Sequence, residues 1–182
     1  MKLKLVVLSI TAMLLACKTS VNIVPTKNDT NLAVKSSRFR GTVFKTNYPF
    51  YKFFVLDVDS TKRFTPTKED VELAEKILSN QLAKANRDRP NQVGRRPIIH
   101  RRLNNYFRQY VGVFTSDNER IIHINFYWDK YSITERWKGF HDGRLNFEDD
   151  YAIVFDGGSK YWQINVNLTK QCLSDLHVNG AA

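Results

Sequence analysis

Beyond residue 64, apolar residues first recur with the period of a helix. Thr67, with Asp70 three residues further on, forms a capping box; Thr65 followed by Pro66 is an alternative start. The apolar stripe consists of Val71, Ala74, Ile77, Leu78, Leu82 and Ala85. This spacing of three and four residues puts them on one side of a helix. The pattern predicts a single helix of about 20 residues that ends near residue 85 or 86.

After residue 105 the period changes to two, which is typical of half-buried strands. The alternation predicts strands over 106–114, 120–128, 151–155, 161–168 and 173–178. Most of them are joined by short turns, and two adjacent glycines supply the turn before residue 160. Aromatic and β-branched runs over 39–44 and 48–58 predict two more strands ahead of the helix.

This order of elements predicts an α+β fold in which one long helix packs on a four- or five-stranded antiparallel meander. An antiparallel sheet with one apolar face needs a cover, and a helix of about 30 Å crosses several strands spaced about 4.8 Å apart. The arrangement resembles a cystatin-like or NTF2-like roll. The run 109–113 resembles the inhibitory hairpin of cystatins but lacks its final glycine. Protease inhibition is therefore not expected.

The N-terminal residues have the pattern of an export signal. Lys2 and Lys4 precede a mostly apolar run over 5–16. At about 1.5 Å per residue this run spans roughly 18 Å, which is too short for a bilayer core of about 30 Å. It therefore predicts a cleaved signal and not a transmembrane anchor.

The end of this run, Leu14-Leu15-Ala16-Cys17, resembles the lipobox of bacterial lipoproteins. The resemblance implies cleavage before Cys17 and acylation of that residue, so that the mature chain is held on a membrane without spanning it. Lys18 at the next position implies outer-membrane sorting, with the domain facing the periplasm or, alternatively, the cell surface. An ordinary signal peptide with a coincidental cysteine is the competing interpretation.

The predicted organisation has three parts. Residues 1–16 are the signal peptide, 17–38 hold the lipidated Cys17 and a flexible polar tether, and 39–182 form one α+β domain. The C-terminal Phe-Asp-Gly-Gly run over 155–158 and the Val-Asn-Gly-Ala run over 178–181 resemble small bacteroidete lipoproteins. This resemblance implies an anchor and supplies no active-site residues.

The charge of the chain is concentrated in one segment. The formal charge of +10 falls to +8 without the signal peptide, and residues 84–108 contribute +7 with eight basic residues and one acid. Within it, Arg95, Arg96, Arg101 and Arg102 are the candidate anion-binding residues, because guanidinium groups bind phosphate bidentately. The expected ligand is an anionic lipid or an acidic envelope partner; nucleic acid is not expected for an anchored envelope protein. A solvated helix end and loop is the competing interpretation, and the sequence alone favours it.

Catalytic motifs are sparse. His141, Asp142 and Asp149 could form an acid/base set or a metal site, but a solvated acidic loop is the favoured interpretation. No metal-binding spacing and no cofactor motif occurs in the chain. His123 lies on the strand face opposite Ile122 and is expected to be a hydrogen-bonded structural residue. The sequence therefore predicts a non-catalytic ligand- or partner-binding lipoprotein, with a small envelope hydrolase or metal-dependent enzyme as the alternative.

Overall fold

The computed structural model of the chain describes residues 20–50, 62–94, 96–130 and 147–180. Within them lie one α-helix, eight strands and three short 3-10 helices. The strands are β1 Val21–Pro25, β2 Asn31–Ser36, β3 Arg40–Phe44, β4 Arg63–Phe64, β5 Tyr106–Phe114, β6 Arg120–Trp128, β7 Tyr161–Asn167 and β8 Cys172–Val178. The helices are α1 Lys68–Ala85 and the 3-10 helices Ile99–Arg101, Leu103–Asn105 and Gly158–Lys160.

All eight strands belong to one mixed sheet in the order β1-β2-β3-β5-β6-β7-β8, with β4 also paired to β5. The pair β3–β5 is parallel and the other pairs are antiparallel. The predicted four- or five-stranded antiparallel meander of the cystatin-like or NTF2-like kind is therefore wrong, and the fold is a sheet-rich α+β fold. Parallel neighbours need a long crossover, which here is the chain between β3 and β5 that contains α1.

The predicted tether over 17–38 is wrong from Val21 onward, because β1 and β2 already belong to the sheet. Val21 is fully buried, pairs with Ser36, and donates its backbone N–H to Oε1 of Glu72 over 3.1 Å. Three residues, 18–20, therefore separate Cys17 from the first strand.

The helix agrees with the sequence pattern. Thr67 is the N-cap, and it exchanges side-chain and backbone hydrogen bonds with Asp70 in the capping box. Five of the six residues of the predicted stripe are buried in the same cluster as Ile122 and Trp162, and Ala85 at the end of the helix is exposed. The helix contacts β1 at one edge of the sheet and β8 at the other, so the sheet curves around it.

A charged network lies in this interior. Arg108 on β5 is fully buried and donates from Nε to Oε1 of Glu75 on α1 over 2.8 Å. The Tyr110 hydroxyl donates to the same oxygen over 2.8 Å; burial, and then the Glu75 charge, raise the pKa of Tyr110 and keep this proton in place. The guanidinium also donates to the carbonyls of Tyr106 and Leu103 and lies over the ring of Phe39. The network joins α1 to the centre of the sheet.

The opposite face of the sheet is crossed by residues 147–156, a segment that we call the strap. The sequence predicts a strand over 151–155, and this is wrong. Side-chain amides of the sheet bind the backbone of the strap in place of a neighbouring strand: Gln109 bonds to the Asp150 carbonyl and the Ala152 N–H, and Asn125 bonds to the Ala152 carbonyl. The run is β-like in composition, but its backbone hydrogen bonds go to side chains.

His123 lies under the strap and is structural, as predicted. Its Nδ1 is 2.8 Å from Oδ1 of Asn165 and its Nε2 is 3.1 Å from the Tyr151 hydroxyl. Because Asn165 also donates to Asp175, its oxygen faces the imidazole, and Nδ1 carries the proton. Burial lowers the pKa of His123, which favours this neutral form.

Candidate anion-binding site

A cavity of about 540 Å³ opens at the end of the sheet where β5 and β7 begin and β6 ends. Its described lining contains five cationic side chains: Arg96, Arg101, Arg102, Lys130 and Lys160. The other lining residues are Pro97, Ile98, Asn105 and Trp128. The volume is within the usual range of small-molecule sites, about 300–1,000 Å³.

Buried amides hold the loop that carries the arginines. Asn86 at the end of α1 and Gln92 exchange two side-chain hydrogen bonds, of 2.9 and 2.5 Å. Gln92 also accepts the backbone N–H of Ile99 over 3.0 Å, and Ile99 is fully buried in the core. Ile99 begins the first of two short 3-10 helices. Arg101 ends this helix, Arg102 lies between the two helices, and both arginines are exposed. The arginines therefore stand on a fixed frame.

The glycine pair before β7 makes room for Arg96. Gly157 and Gly158 have φ angles of +88° and +59°, which glycine adopts without strain. A Cβ atom on Gly158 would lie 2.8 Å from Nε of Arg96. The missing side chain lets Arg96 lie across this turn, and Lys160 at the end of the turn lines the same cavity.

The remaining part of the lining, Trp128 and Lys130, lies at the end of β6. Trp128 packs edge-on against Tyr106, with ring centroids 5.1 Å apart, and donates its indole N–H to the Lys130 carbonyl over 2.8 Å. The backbone N–H of Asp129, between these residues, donates to the Asn105 carbonyl over 2.8 Å. The indole and Lys130 are thus fixed beside the 3-10 turns.

All the charged residues in the described lining of the cavity are cations. Within the described ranges, no carboxylate forms an ion pair with Arg101, Arg102 or Lys130. Asp129 directly precedes Lys130 in the chain, but its carboxylate is occupied elsewhere. Arg40 donates to both of its oxygens over 3.0 Å. Such a cluster of cations favours binding of a multiply charged anion.

His100 adds little charge to this surface. Burial, and then the positive charges of Arg101 and Arg89, lower the pKa of His100, so it is mostly neutral at pH 7. Its Nδ1 is 2.9 Å from the amide nitrogen of Asn86. The positive potential of the cavity therefore comes from its arginines and lysines.

The structure brings together three of the four predicted arginines, Arg96, Arg101 and Arg102. Arg95 lies outside the described residues. The basic segment does not form one surface. The Arg108 side chain is buried between the sheet and α1, and Arg87 pairs with Asp88 on an exposed turn. Its charge is therefore divided among separate places.

The sequence missed Trp128, Lys130 and Lys160, which lie 26 to 64 residues from the arginines of the cavity along the chain. A usable signal existed. Antiparallel neighbours place the end of β6 beside the start of β7, and the sequence predicts both strands.

The other predicted site residues do not form a described site. Cys17, His141 and Asp142 lie outside the described residues. Asp149 lies in the strap, where its backbone carbonyl accepts a hydrogen bond from Asn31 over 2.7 Å. Among the described residues, no group of three His, Cys, Asp or Glu side chains is placed to hold a metal ion.

Comparisons with protein-family models, with curated proteins and with solved structures found no match for the chain. No helix of the described residues is long and apolar enough to cross a membrane.

Proposed function

We propose that the chain is a membrane-anchored envelope lipoprotein whose domain binds an anionic ligand without catalysing a reaction on it. The observation that carries the binding function is the convergence of five cationic side chains on one cavity. They come from three separate parts of the chain, which would not be expected of a basic loop that is merely solvated.

The chemistry of the lining favours binding over catalysis. Arginine forks bind phosphate or carboxylate oxygens in pairs, and a lysine adds a compact charge. Among the described lining residues there is no histidine, cysteine or carboxylate that would serve as a nucleophile or a general base. An amide, Asn105, and an indole, Trp128, complete a surface suited to recognition.

The anchoring part of the proposal is supported by the lipobox-like sequence before Cys17 and by the short apolar run ahead of it. The expected location is the periplasmic face of the outer membrane. A cationic cavity is useful there, because membrane surfaces with anionic lipids attract basic groups at about 1 kcal/mol per residue.

The binding function is tested by calorimetric titration of the full chain, extracted in neutral detergent, with inorganic pyrophosphate. The double variant Arg101→Gln/Arg102→Gln is compared with Lys84→Gln/Arg87→Gln, which removes the same charge from the same segment outside the cavity. A charged hydrogen bond contributes about 1.5–3 kcal/mol, so the cavity variant should bind at least about tenfold more weakly. The control pair should bind within about twofold of the parent.

Added salt should weaken binding by the parent chain, because the attraction is electrostatic and the Debye length is about 10 Å at 0.1 M. Equal losses in the two double variants would contradict a defined site, since diffuse charge would then account for the binding. Absence of binding in the parent would refute the proposal.

A further inference from the structure

The end of the sheet that carries the cavity is also the end where β1 begins. Val21 at the start of β1 pairs with Ser36, the last residue of β2, and β3 starts at Arg40 on the same side. Because β3 and β5 are parallel, β5 also starts at this end, and its first residue, Tyr106, pairs with Trp128 of the cavity. The register of the sheet thus places the beginning of β1 and the cavity at one end.

A salt bridge connects the start of β3, at the same end of the sheet, to the cavity. Arg40 opens β3, two strand spacings or roughly 10 Å from β1. Its guanidinium grips the carboxylate of Asp129, which stands between the cavity residues Trp128 and Lys130. The first strands are thereby tied to the wall of the cavity.

The connection from the proposed anchor to this end is short. From Cys17 to Val21 there are four Cα–Cα steps, which reach at most about 15 Å. Val21 is buried and its backbone N–H donates a hydrogen bond to Glu72. The start of β1 is therefore fixed and does not lengthen the link to Cys17. With Cys17 acylated, this end of the sheet is confined to the layer next to the headgroups.

The lining of the cavity suits that layer. Trp and arginine are the side chains that settle at membrane interfaces, the indole because it is amphipathic and the guanidinium because it binds phosphate. Here Trp128 stands beside Arg101, Arg102 and Lys130, which have no ion-pair partner among the described residues. The cavity therefore combines the recognition groups for a phosphomonoester with an apolar wall.

We propose that the cavity binds the phosphate-bearing headgroup of an anionic lipid in the membrane that holds Cys17, and that the short link positions the cavity for it. This inference rests on the proposed anchoring and anion binding. The same phosphate chemistry is shared by soluble phosphomonoesters, so the experiment compares the two sources.

The test uses the full chain in phosphatidylcholine vesicles with or without phosphatidic acid. The mass of the purified chain is measured first; a chain that retains residues 1–16 without acylation at Cys17 overturns the anchoring and this inference together. The readout is the rate at which phenylglyoxal modifies Arg101 and Arg102, followed by peptide mass spectrometry, with the exposed Arg87 as the internal control. Phosphatidic acid should slow modification of the cavity arginines severalfold and leave Arg87 unchanged.

Two further arms separate the sources of phosphate. Soluble glycerol phosphate, at the same total concentration as phosphatidic acid, should protect less, because it lacks the local concentration that the membrane provides. A Gly-Ser insertion between Ser20 and Val21 leaves the cavity unchanged but lengthens the link. It should lose most of the protection by phosphatidic acid and keep the protection by glycerol phosphate.

Each outcome decides between the proposals. Protection by glycerol phosphate alone would overturn the lipid headgroup and leave anion binding standing. Undiminished protection of the insertion variant by phosphatidic acid would overturn the positioning role of the link. If neither compound protects the arginines, as expected for a cavity that takes an acidic protein, the inference fails; loss of pyrophosphate binding as well would remove the proposed function.

Discussion

Arg108 and the pair Arg101 and Arg102, six residues apart at their closest, have opposite surroundings. Arg108 is fully buried, and its donors go to a carboxylate and two carbonyls. Arg101 and Arg102 are exposed, and no described carboxylate pairs with them. The comparison teaches that a basic segment is not a functional unit, because its charges can divide between holding the fold and facing a ligand.

The largest loss of stability should come from breaking the buried ion pair between Arg108 and Glu75. Arg108→Met leaves the Glu75 carboxylate buried without its cation, and such losses lower the free energy of unfolding by about 3–5 kcal/mol. Chemical denaturation of the parent and variant measures this.

A double-mutant cycle sharpens the result. Arg108→Met combined with Glu75→Leu should be less destabilised than the two single changes together, because no unpaired charge remains. A loss below about 1 kcal/mol in Arg108→Met would show that this arginine does not hold the fold, and the contrast with the cavity would disappear.

A smaller loss of stability should appear when the pH is lowered. Burial lowers the pKa of His123, so the folded chain resists a proton that the unfolded chain accepts near its ordinary value of 6.5. Stability should be fully present above pH 6.5 and fall as the pH drops toward the lowered pKa, by at most about 1.4 kcal/mol per pH unit.

The variant His123→Gln should flatten this slope, which denaturation at a series of pH values would reveal. Because burial also lowers the pKa of His100, part of the slope should remain. An unchanged slope would show that His123 is not held neutral in the sheet interior.

Local signals explain what the sequence predicted well. The capping box at Thr67 and the apolar stripe of α1 need only neighbouring residues, and so does the alternation in β5 to β8. These patterns record which face is buried, and the sheet places Ile122 and His123 on opposite faces as expected.

Pairing between strands that are far apart in the chain explains what the sequence did not predict. The parallel pair β3–β5 joins residues more than 60 apart, and nothing near Arg40 announces this partner. The hairpin β1–β2 was detectable, since Val21, Ile23, Leu32 and Val34 alternate on either side of a polar turn, but its many polar residues resemble a tether. As an edge, β1 has one partner strand.

The site was predictable in part for the same reason. Arg96, Arg101 and Arg102 follow one another on one loop, so their clustering has a local signal. Lys130, Lys160 and Trp128 reach the cavity only through the register of β6 and β7. Whether an arginine such as Arg108 turns inward depends on Glu75 across the core, which the segment itself does not reveal.

The most direct test of the account is the stabilisation that pyrophosphate confers on unfolding, measured in the parent and in Arg101→Gln/Arg102→Gln. A ligand at one hundred times its Kd adds about 2.7 kcal/mol to the free energy of unfolding. The account predicts that the parent gains this stability, whereas the variant gains little and, without ligand, unfolds within about 0.5 kcal/mol of the parent. Equal gains in the two chains, or a variant already destabilised without ligand, would contradict the division between arginines that hold the fold and arginines that bind the anion.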